Sequence, residues 1–185
     1  MFNASNCANT DFSDWNIENV TSLQAMFNNA QGNIYGVTHW NTKNVTNFSN
    51  IFTNAKGMQH PIGDWDYSSL AEGSSIGIDG SGLSVDAYNR TLEGWEKNTT
   101  IRKPVVQAKD LYYSKQYVHD NQLKTTKGFR FVGDKYVNKN LSLSVYNMRL
   151  KVGQKKELKL QEQNGAAGIT YVVEPMSPKR IRYDE

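Results

Sequence analysis

The chain of 185 residues is 38% hydrophobic and 21% charged, a composition typical of one folded polar domain or two small ones. Its formal net charge is +3, and its single cysteine excludes a disulfide framework or a cysteine-rich zinc site within the chain. No apolar run approaches the roughly 18 residues of a membrane helix, and no signal-peptide pattern is present, so we expect no direct membrane insertion.

Charge is divided unequally along the chain. Residues 1–100 carry ten acidic and four basic side chains, whereas residues 101–185 carry eight acidic and 17 basic ones. Asparagine is concentrated at the start, with thirteen between positions 1 and 54. Two compositions of this kind predict two structural regions.

The sequence of 1–75 repeats with a period of 25. Three columns of aromatic or apolar residues carry the repeat: Trp15, Trp40 and Trp65; Phe2, Phe27 and Phe52; Phe12, Val37 and Ile62. Because a unit this short cannot bury its own apolar face, successive copies must pack on one another, as in a solenoid. The sequence therefore predicts units at 1–25, 26–50 and 51–75, with rings in shared columns and asparagines in left-handed turns.

The second unit carries a family resemblance. Residues 26–47 read MFNNAQGNIYGVTHWNTKNVTN, which resembles the repeat of BspA-like leucine-rich-repeat surface proteins of bacteria. The resemblance implies a leucine-rich-repeat-like solenoid and an extracellular role at the cell surface in adhesion. Since the chain opens on the methionine position of the repeat, we expect further repeats or a partner to cover that end.

A helix is predicted after the third unit, because Ser84 is placed to cap it and Asp86 lies in its first turn. Its apolar face comprises Val85, Tyr88, Leu92 and Trp95. We expect this face to pack over the last repeat. The segment that follows is predicted to form a strand at 105–108, a helix or turn at 114–123 and a strand at 129–132. Residues 80–134 also resemble the segment that ends BspA-like repeat arrays.

Residues 141–185 change to alternating apolar and polar positions and resemble the first half of a bacterial Ig-like (group 2) domain. About four strands fit, where such a sandwich needs about seven. We therefore predict an α+β chain. A short leucine-rich-repeat-like solenoid with a helical C-terminal cap (76–134) spans 1–134, a linker spans 135–140, and an incomplete Ig-like β-sandwich spans 141–185.

Residue types that catalyse reactions or bind metals are sparse. His39 and His60 occupy the same part of successive units and are expected to be exposed, and His119 with Asp120 is also expected at the surface. Cys7 aligns with glycines of the later units, which indicates a small buried residue. The glycine-rich loop 77–82 lacks the Lys-Ser/Thr of a phosphate loop, and no calcium-loop pattern surrounds the aspartates near the tryptophans. We predict no enzymatic activity, no metal and no cofactor.

The expected function is a non-enzymatic extracellular interaction module. The strand after each Val-Thr pair supplies a candidate binding face, Ser22 and Gln24 followed by Asn47 and Ser49, for a protein or glycan on a cell surface. One alternative is a structural building block of a virion or surface layer that docks on neighbouring subunits, and another is an accessory region of a carbohydrate-active enzyme. The basic second half is expected to limit edge-to-edge aggregation, so we predict no nucleic-acid partner.

Overall fold

The computed structural model describes residues 3–4, 10–138, 157–159 and 170–172. The chain divides into two compact parts, Met1–Leu141 and Ser142–Glu185. Helices and small sheets are mixed. In chain order the elements are β1 (Thr10–Asp11), β2 (Ile34–Tyr35), a 3-10 helix (Val37–His39), β3 (Ser75–Gly77), α1 (Val85–Lys97), β4 (Val105–Gln107), β5 (Tyr112–Tyr113), a π-helix (Tyr117–Thr126), β6 (Arg130–Val132), β7 (Lys135–Tyr136), β8 (Glu157–Lys159) and β9 (Thr170–Val172).

Neighbouring units pair in parallel with the period of the sequence. Ser22 bridges Asn47, and the amide of Leu23 donates to the Asn47 carbonyl at 2.9 Å. The amide of Phe27 donates to the Ile51 carbonyl at 3.0 Å. Because backbone groups meet this way along each unit, burial of the interior leaves them hydrogen-bonded.

Aromatic rings from successive units lie face to face in the core. The rings of Phe27 and Phe52 stack with centroids 5.5 Å apart, and those of Trp40 and Trp65 stack at 6.3 Å. Phe27 and Phe52 are fully buried. These pairs form part of the predicted columns. Trp15, predicted as the first member of the tryptophan column, is instead 39% exposed and contacts the Phe12 ring, and Phe2 lies outside the described residues.

The tryptophan indoles also bind the backbone in a repeating way. Trp40 donates its Nε1 to the Phe12 carbonyl at 3.0 Å, and Trp65 donates to the Val37 carbonyl at 2.9 Å. Donor and acceptor each advance by one repeat period between the two bonds. A buried indole therefore contributes both apolar contact and a partner for a carbonyl that the sheet does not pair.

Asparagines occupy left-handed backbone positions at the same point of successive units. Asn29 and Asn54 have φ of 54° and 58°, and Asn50 has 53°. Asn54 donates its Nδ2 to the Asn29 Oδ1 at 3.0 Å, so the two turns are joined across the units. The predicted left-handed turns are confirmed at these residues, where asparagine is tolerated better than most side chains.

Helix α1 begins and packs as its sequence predicts. Ser84 caps it, since its Oγ accepts a hydrogen bond from the Ala87 amide at 3.2 Å. The helix lies against the third unit, where the Ile62 amide donates to the Thr91 Oγ1 at 3.2 Å. A Cβ on Gly94 would lie 2.6 Å from the Gly63 backbone, so only glycine permits this approach.

Parallel pairing continues past the helix in a three-stranded sheet of order β3-β4-β6. Ile76, Val106 and Phe131 are paired in register, and Phe48 bridges Ile76. The predicted strands at 105–108 and 129–132 are confirmed as β4 and β6 within one or two positions, and the segment between them forms the π-helix.

The segment predicted as a linker, 135–140, begins with strand β7, which pairs with β5 in parallel. In the second part of the chain, β8 and β9 pair antiparallel, with Leu158 opposite Tyr171. The remaining strands predicted within 141–185 lie outside the described residues.

Phe52→Ala should lower the free energy of unfolding by about 3–5 kcal/mol, because it removes one ring of a fully buried pair and leaves a cavity. Urea unfolding followed by circular dichroism measures this loss. Gln59→Ala, an exposed position of the same unit, should change stability by less than about 0.5 kcal/mol. Equal effects of the two substitutions would contradict the role of the ring column.

Candidate interaction surface

The four residues predicted as a binding face lie together on the outer side of the paired units. Ser22 and Gln24 are exposed, and Asn47 and Ser49 are partly exposed. Leu23 and Phe48, the residues between them, are buried in the core. Alternation along each strand therefore directs the polar side chains outward.

Hydrogen bonds connect these side chains to one another. Asn47 donates its Nδ2 to the Gln24 Oε1 at 3.2 Å, across the two units. The Asn47 Oδ1 accepts from the Ser49 amide at 2.9 Å, and the Ser22 Oγ accepts from the Gln24 amide at 3.3 Å. The surface thus presents ordered hydroxyl and amide groups, which can donate to and accept from polar partners.

The same outward rows continue along β3, β4 and β6. In the register of the sheet, Ser75, Val105 and Arg130 are aligned in one row, and Gln107 and Val132 in the other, where Gly77 of β3 is buried against the Asn50 backbone. The surface changes from small polar residues in the first units to Arg130 and Val132 at the last strand. We call the outward residues of these five aligned segments the sheet surface.

One end of the sheet surface adjoins a cavity of about 350 Å³. Its lining is mainly apolar and comprises Trp15, Asn16, Ile17, Val20, Ser22, Leu23, Gln24 and Met26. Trp15 is 39% exposed, whereas the other three tryptophans of the chain are at most 5% exposed. Trp15 contacts the Phe12 ring edge-on at 5.1 Å, so its environment differs from that of Trp40 and Trp65.

The prediction of a surface position for His119 is wrong. Its side chain is 2% exposed and lies between the rings of Tyr113 and Phe131, with centroids 3.8 Å and 4.1 Å away. Its Nδ1 lies 2.8 Å from the Asp120 Oδ1, and its Nε2 lies 3.0 Å from the Asp134 Oδ2. Asp134, fifteen positions further along the chain, gives no local signal of this contact.

Tyrosines and aspartates around His119 complete a buried cluster. Tyr88 donates its hydroxyl to the Asp134 Oδ2 at 2.8 Å, which ties α1 to the turn before β7. Burial and the nearby Asp134 raise the pKa of Tyr88 well above its ordinary value. Burial and the negative charges of Asp120 and Asp134 raise the pKa of Tyr113 to about 12.

Asp120 has opposing influences on its charge. Partial burial would raise its pKa, but hydrogen bonds from His119 and Lys124 outweigh this and lower it. Both His119 nitrogens face carboxylate oxygens and both ring faces are covered by other rings. The cluster therefore ties the π-helix to α1 and β6.

The remaining sequence candidates have structural surroundings. His39 is exposed as predicted, whereas His60, which was also expected to be exposed, is half-buried and lies 5.7 Å from the Tyr35 ring. Asp11 and Asp66 each accept hydrogen bonds from the hydroxyl and the amide of a serine two positions further on, which lower the pKa of both carboxyls. Cys7 lies outside the described residues.

Within the described residues, no group of three or more His, Cys, Asp or Glu side chains is arranged to hold a metal ion. Within the same part of the chain, none of the helices has the length and apolar character that crossing a membrane requires.

The chain belongs to the family described as "Mycoplasma protein of unknown function, DUF285", which matches residues 1–102. The match spans the three repeat units and continues through α1. No curated protein and no solved structure matches the chain.

His119→Ala should lower the free energy of unfolding by about 3 kcal/mol, because Asp134 would stay buried without its imidazole partner. His119→Gln keeps one amide donor and should lower the free energy of unfolding by less than His119→Ala. His39→Ala serves as the control, since His39 is exposed. Thermal and urea unfolding of the three variants distinguish the cases, and equal stability of His119→Ala and the unsubstituted chain would contradict this role.

Alkaline pH should destabilise the cluster. The Tyr113 phenol ionises near its ordinary pKa of 10.0 when unfolded but at about 12 when folded, so its contribution is complete below pH 10.0 and is lost as pH rises toward 12. Urea midpoints measured on both sides of pH 10.0 report the loss. Tyr113→Phe should lose less stability over this window than the unsubstituted chain. Tyr112→Phe, at a 44% exposed position, should behave like the unsubstituted chain.

Proposed function

We propose that the first three units form a leucine-rich-repeat-like solenoid of the BspA-like type, and that 141–185 belong to an Ig-like domain. The parallel pairing of corresponding positions in neighbouring units and the two equivalent indole bonds support the solenoid. The antiparallel pair of β8 and β9 is compatible with a sandwich of the Ig type.

The proposed function is that of a non-enzymatic, extracellular interaction module at a cell surface. It binds a protein or a glycan through the sheet surface, with Ser22, Gln24, Asn47 and Ser49 as its first contacts. The observation that carries this proposal is the ordered row of side-chain amides and hydroxyls, of which Asn47 and Gln24 are joined across two units. Repeated shallow contacts of this kind gain affinity by acting together.

The basic side chains between 101 and 138 favour a protein or glycan over nucleic acid. Lys103 pairs with Glu72, Lys115 with Glu93, and Lys124 with Asp120. Lys127 donates to the Trp95 and Asn98 carbonyls at the end of α1. Four of the eight basic side chains in this range are thus bound to the fold, which leaves fewer of them to follow a phosphate backbone.

A second candidate function is a structural building block of a surface layer or virion that docks on neighbouring subunits. The cavity beside Trp15 favours it, because a 39% exposed indole among apolar side chains is typical of a contact surface. In this function the partner is another subunit rather than a host molecule.

Replacement of Asn47 and Ser49 by lysine should abolish binding by the sheet surface, because two long cations would break the amide row and separate it from its partner. A glycan array and flow cytometry on intact cells measure binding. Gln31→Lys with Gln59→Lys adds the same charge at exposed positions elsewhere on the second and third units. Undiminished binding by the first variant, or equal loss in both, would remove the proposal.

A further inference from the structure

Another cavity, of about 410 Å³, lies where the loop after α1 meets the end of the third unit. Its lining includes three basic residues, one acidic residue and an apolar wall: Arg102, Lys103, Lys127, Glu72 and Ile101. Its volume is within the range of sites for small molecules, which is about 300–1,000 Å³. The four candidate residues of the sheet surface lie elsewhere, so a ligand in this cavity would be separate from theirs.

The loop after α1 is held in one conformation by hydrogen bonds of Asn98. Its Oδ1 accepts from the Thr100 amide at 2.9 Å and from the Ile101 amide at 3.2 Å. Its Nδ2 donates to the Trp65 carbonyl at 2.8 Å, which fixes the loop to the third unit. Lys103 keeps a left-handed φ of 42°, a conformation that persists only where the surroundings impose it. A ligand would therefore meet a loop that is already ordered, which favours affinity.

The basic side chains of the cavity differ in what they already bind. Lys103 pairs with Glu72 at 2.9 Å. Lys127 donates to two carbonyls at the end of α1, at 3.0 and 2.7 Å, and these bonds use two of the three donors of its ammonium. Arg102 is exposed, and its guanidinium has no hydrogen bond or ion pair with any residue that the structure describes. One guanidinium and one ammonium donor thus remain for an anion.

Acceptors and apolar surface line the same cavity. Glu72 has a 59% exposed side chain, and Thr99, a further lining residue, is exposed. Ile101 is 6% exposed and supplies the apolar wall. A sulfate ion has no hydrogen to donate to these acceptors, and its two negative charges would be repelled by Glu72. A carboxylated sugar has one negative charge, hydroxyls for the acceptors and C–H groups for the apolar wall.

We propose that this cavity binds the carboxylate-bearing sugar of an acidic glycan, a uronic acid residue. Arg102 and the remaining donor of Lys127 would hold the carboxylate, since a planar guanidinium matches it with two parallel hydrogen bonds. Glu72 and Thr99 would accept from the sugar hydroxyls, and Ile101 would contact its C–H groups. The inference goes beyond the proposed function, because the sheet surface can bind a partner while this cavity is empty.

Titration of the isotope-labelled chain with sodium glucuronate, followed by nuclear magnetic resonance at constant ionic strength, tests the proposal. The amide signals of Thr99, Ile101 and Lys103 should shift and saturate together. Glucose lacks the charge, acetate lacks the sugar body, and sulfate lacks both the hydroxyls and the carboxylate. Each of these three probes should bind at least about tenfold more weakly than glucuronate.

Two substitutions with opposite expected effects report the charge of the ligand. Arg102→Gln should weaken glucuronate binding at least about fivefold, because it removes a charged donor. Glu72→Gln should strengthen binding about twofold, because it removes a repelling charge and keeps an acceptor oxygen. Arg90→Gln, at an exposed position of α1 outside the cavity, should leave binding unchanged. Lys127 is left in place because it also binds the carbonyls at the end of α1.

Three results would overturn the inference. The first is the absence of saturable shifts with glucuronate up to about 50 mM, since a specific site for one sugar binds more tightly than this. The second is equal affinity for acetate or sulfate, which is expected of a general anion site or of a site for a peptide carboxylate. The third is a change in the same direction for Arg102→Gln and Glu72→Gln. Asn47→Lys with Ser49→Lys should leave glucuronate binding intact, so failure of the proposed function and failure of this inference remain distinguishable.

Discussion

The structure depends on aromatic side chains that fill the core and satisfy the backbone at the same point of each unit. The carbonyls of Phe12 and Val37 lie one unit apart, and each accepts an indole N–H from a tryptophan 28 residues further on. Burying one large ring removes roughly 150–250 Å² from water, and the indole hydrogen bond is a second one to a carbonyl that also accepts a backbone amide. A phenylalanine in place of either tryptophan would fill much of the space but lose this second hydrogen bond.

The same constraint explains why the repeat period ends at the third unit. The Ile62 carbonyl corresponds to those of Phe12 and Val37, but it accepts the hydroxyl of Tyr67, from its own unit, at 2.7 Å. The position one repeat period after Trp65 is Arg90, an exposed residue of α1. The helix instead supplies the next buried ring, Trp95, which contacts Tyr67 and follows Trp65 by the same longer interval that separates the paired Ser75 and Val105.

Much of the first half could be predicted because its signals are local or periodic. Ring columns follow from the spacing of Phe27 and Phe52, and Ser84 precedes an apolar face with the helical period. The outward direction of the Ser22 and Asn47 side chains follows from the alternation along each strand, because their neighbours Leu23 and Phe48 are buried. Their role in binding stays a prediction, because a pattern that places a side chain does not identify its ligand.

What could not be predicted involves contacts between distant residues of unlike type. His119 stands beside Asp120 in a polar stretch, which is typical of a surface position. Its burial depends on Asp134 and on rings from two other strands, and no period in the sequence relates these residues. The contacts of His119 occur once in the fold and leave no repeated pattern in the sequence. The ring columns recur from unit to unit and therefore appear in the sequence as a period.

The two halves of the first compact part are consequently held by different forces. The units 26–50 and 51–75 are joined by apolar rings and neutral hydrogen bonds, whose strength does not depend on the ionisation of side chains. The π-helix is held to α1 and β6 by a cluster that includes Asp120, whose pKa is lowered by hydrogen bonds from His119 and Lys124 against the opposing effect of burial. The cluster also includes Tyr113, whose pKa is raised by burial, so these contacts weaken at extremes of pH. Buried ionic groups contribute less to net stability than to fixing one arrangement, since their desolvation offsets much of their attraction. Extremes of pH should therefore release the segment around the π-helix before the ring columns separate, and the sheet surface of the first units would persist after that release.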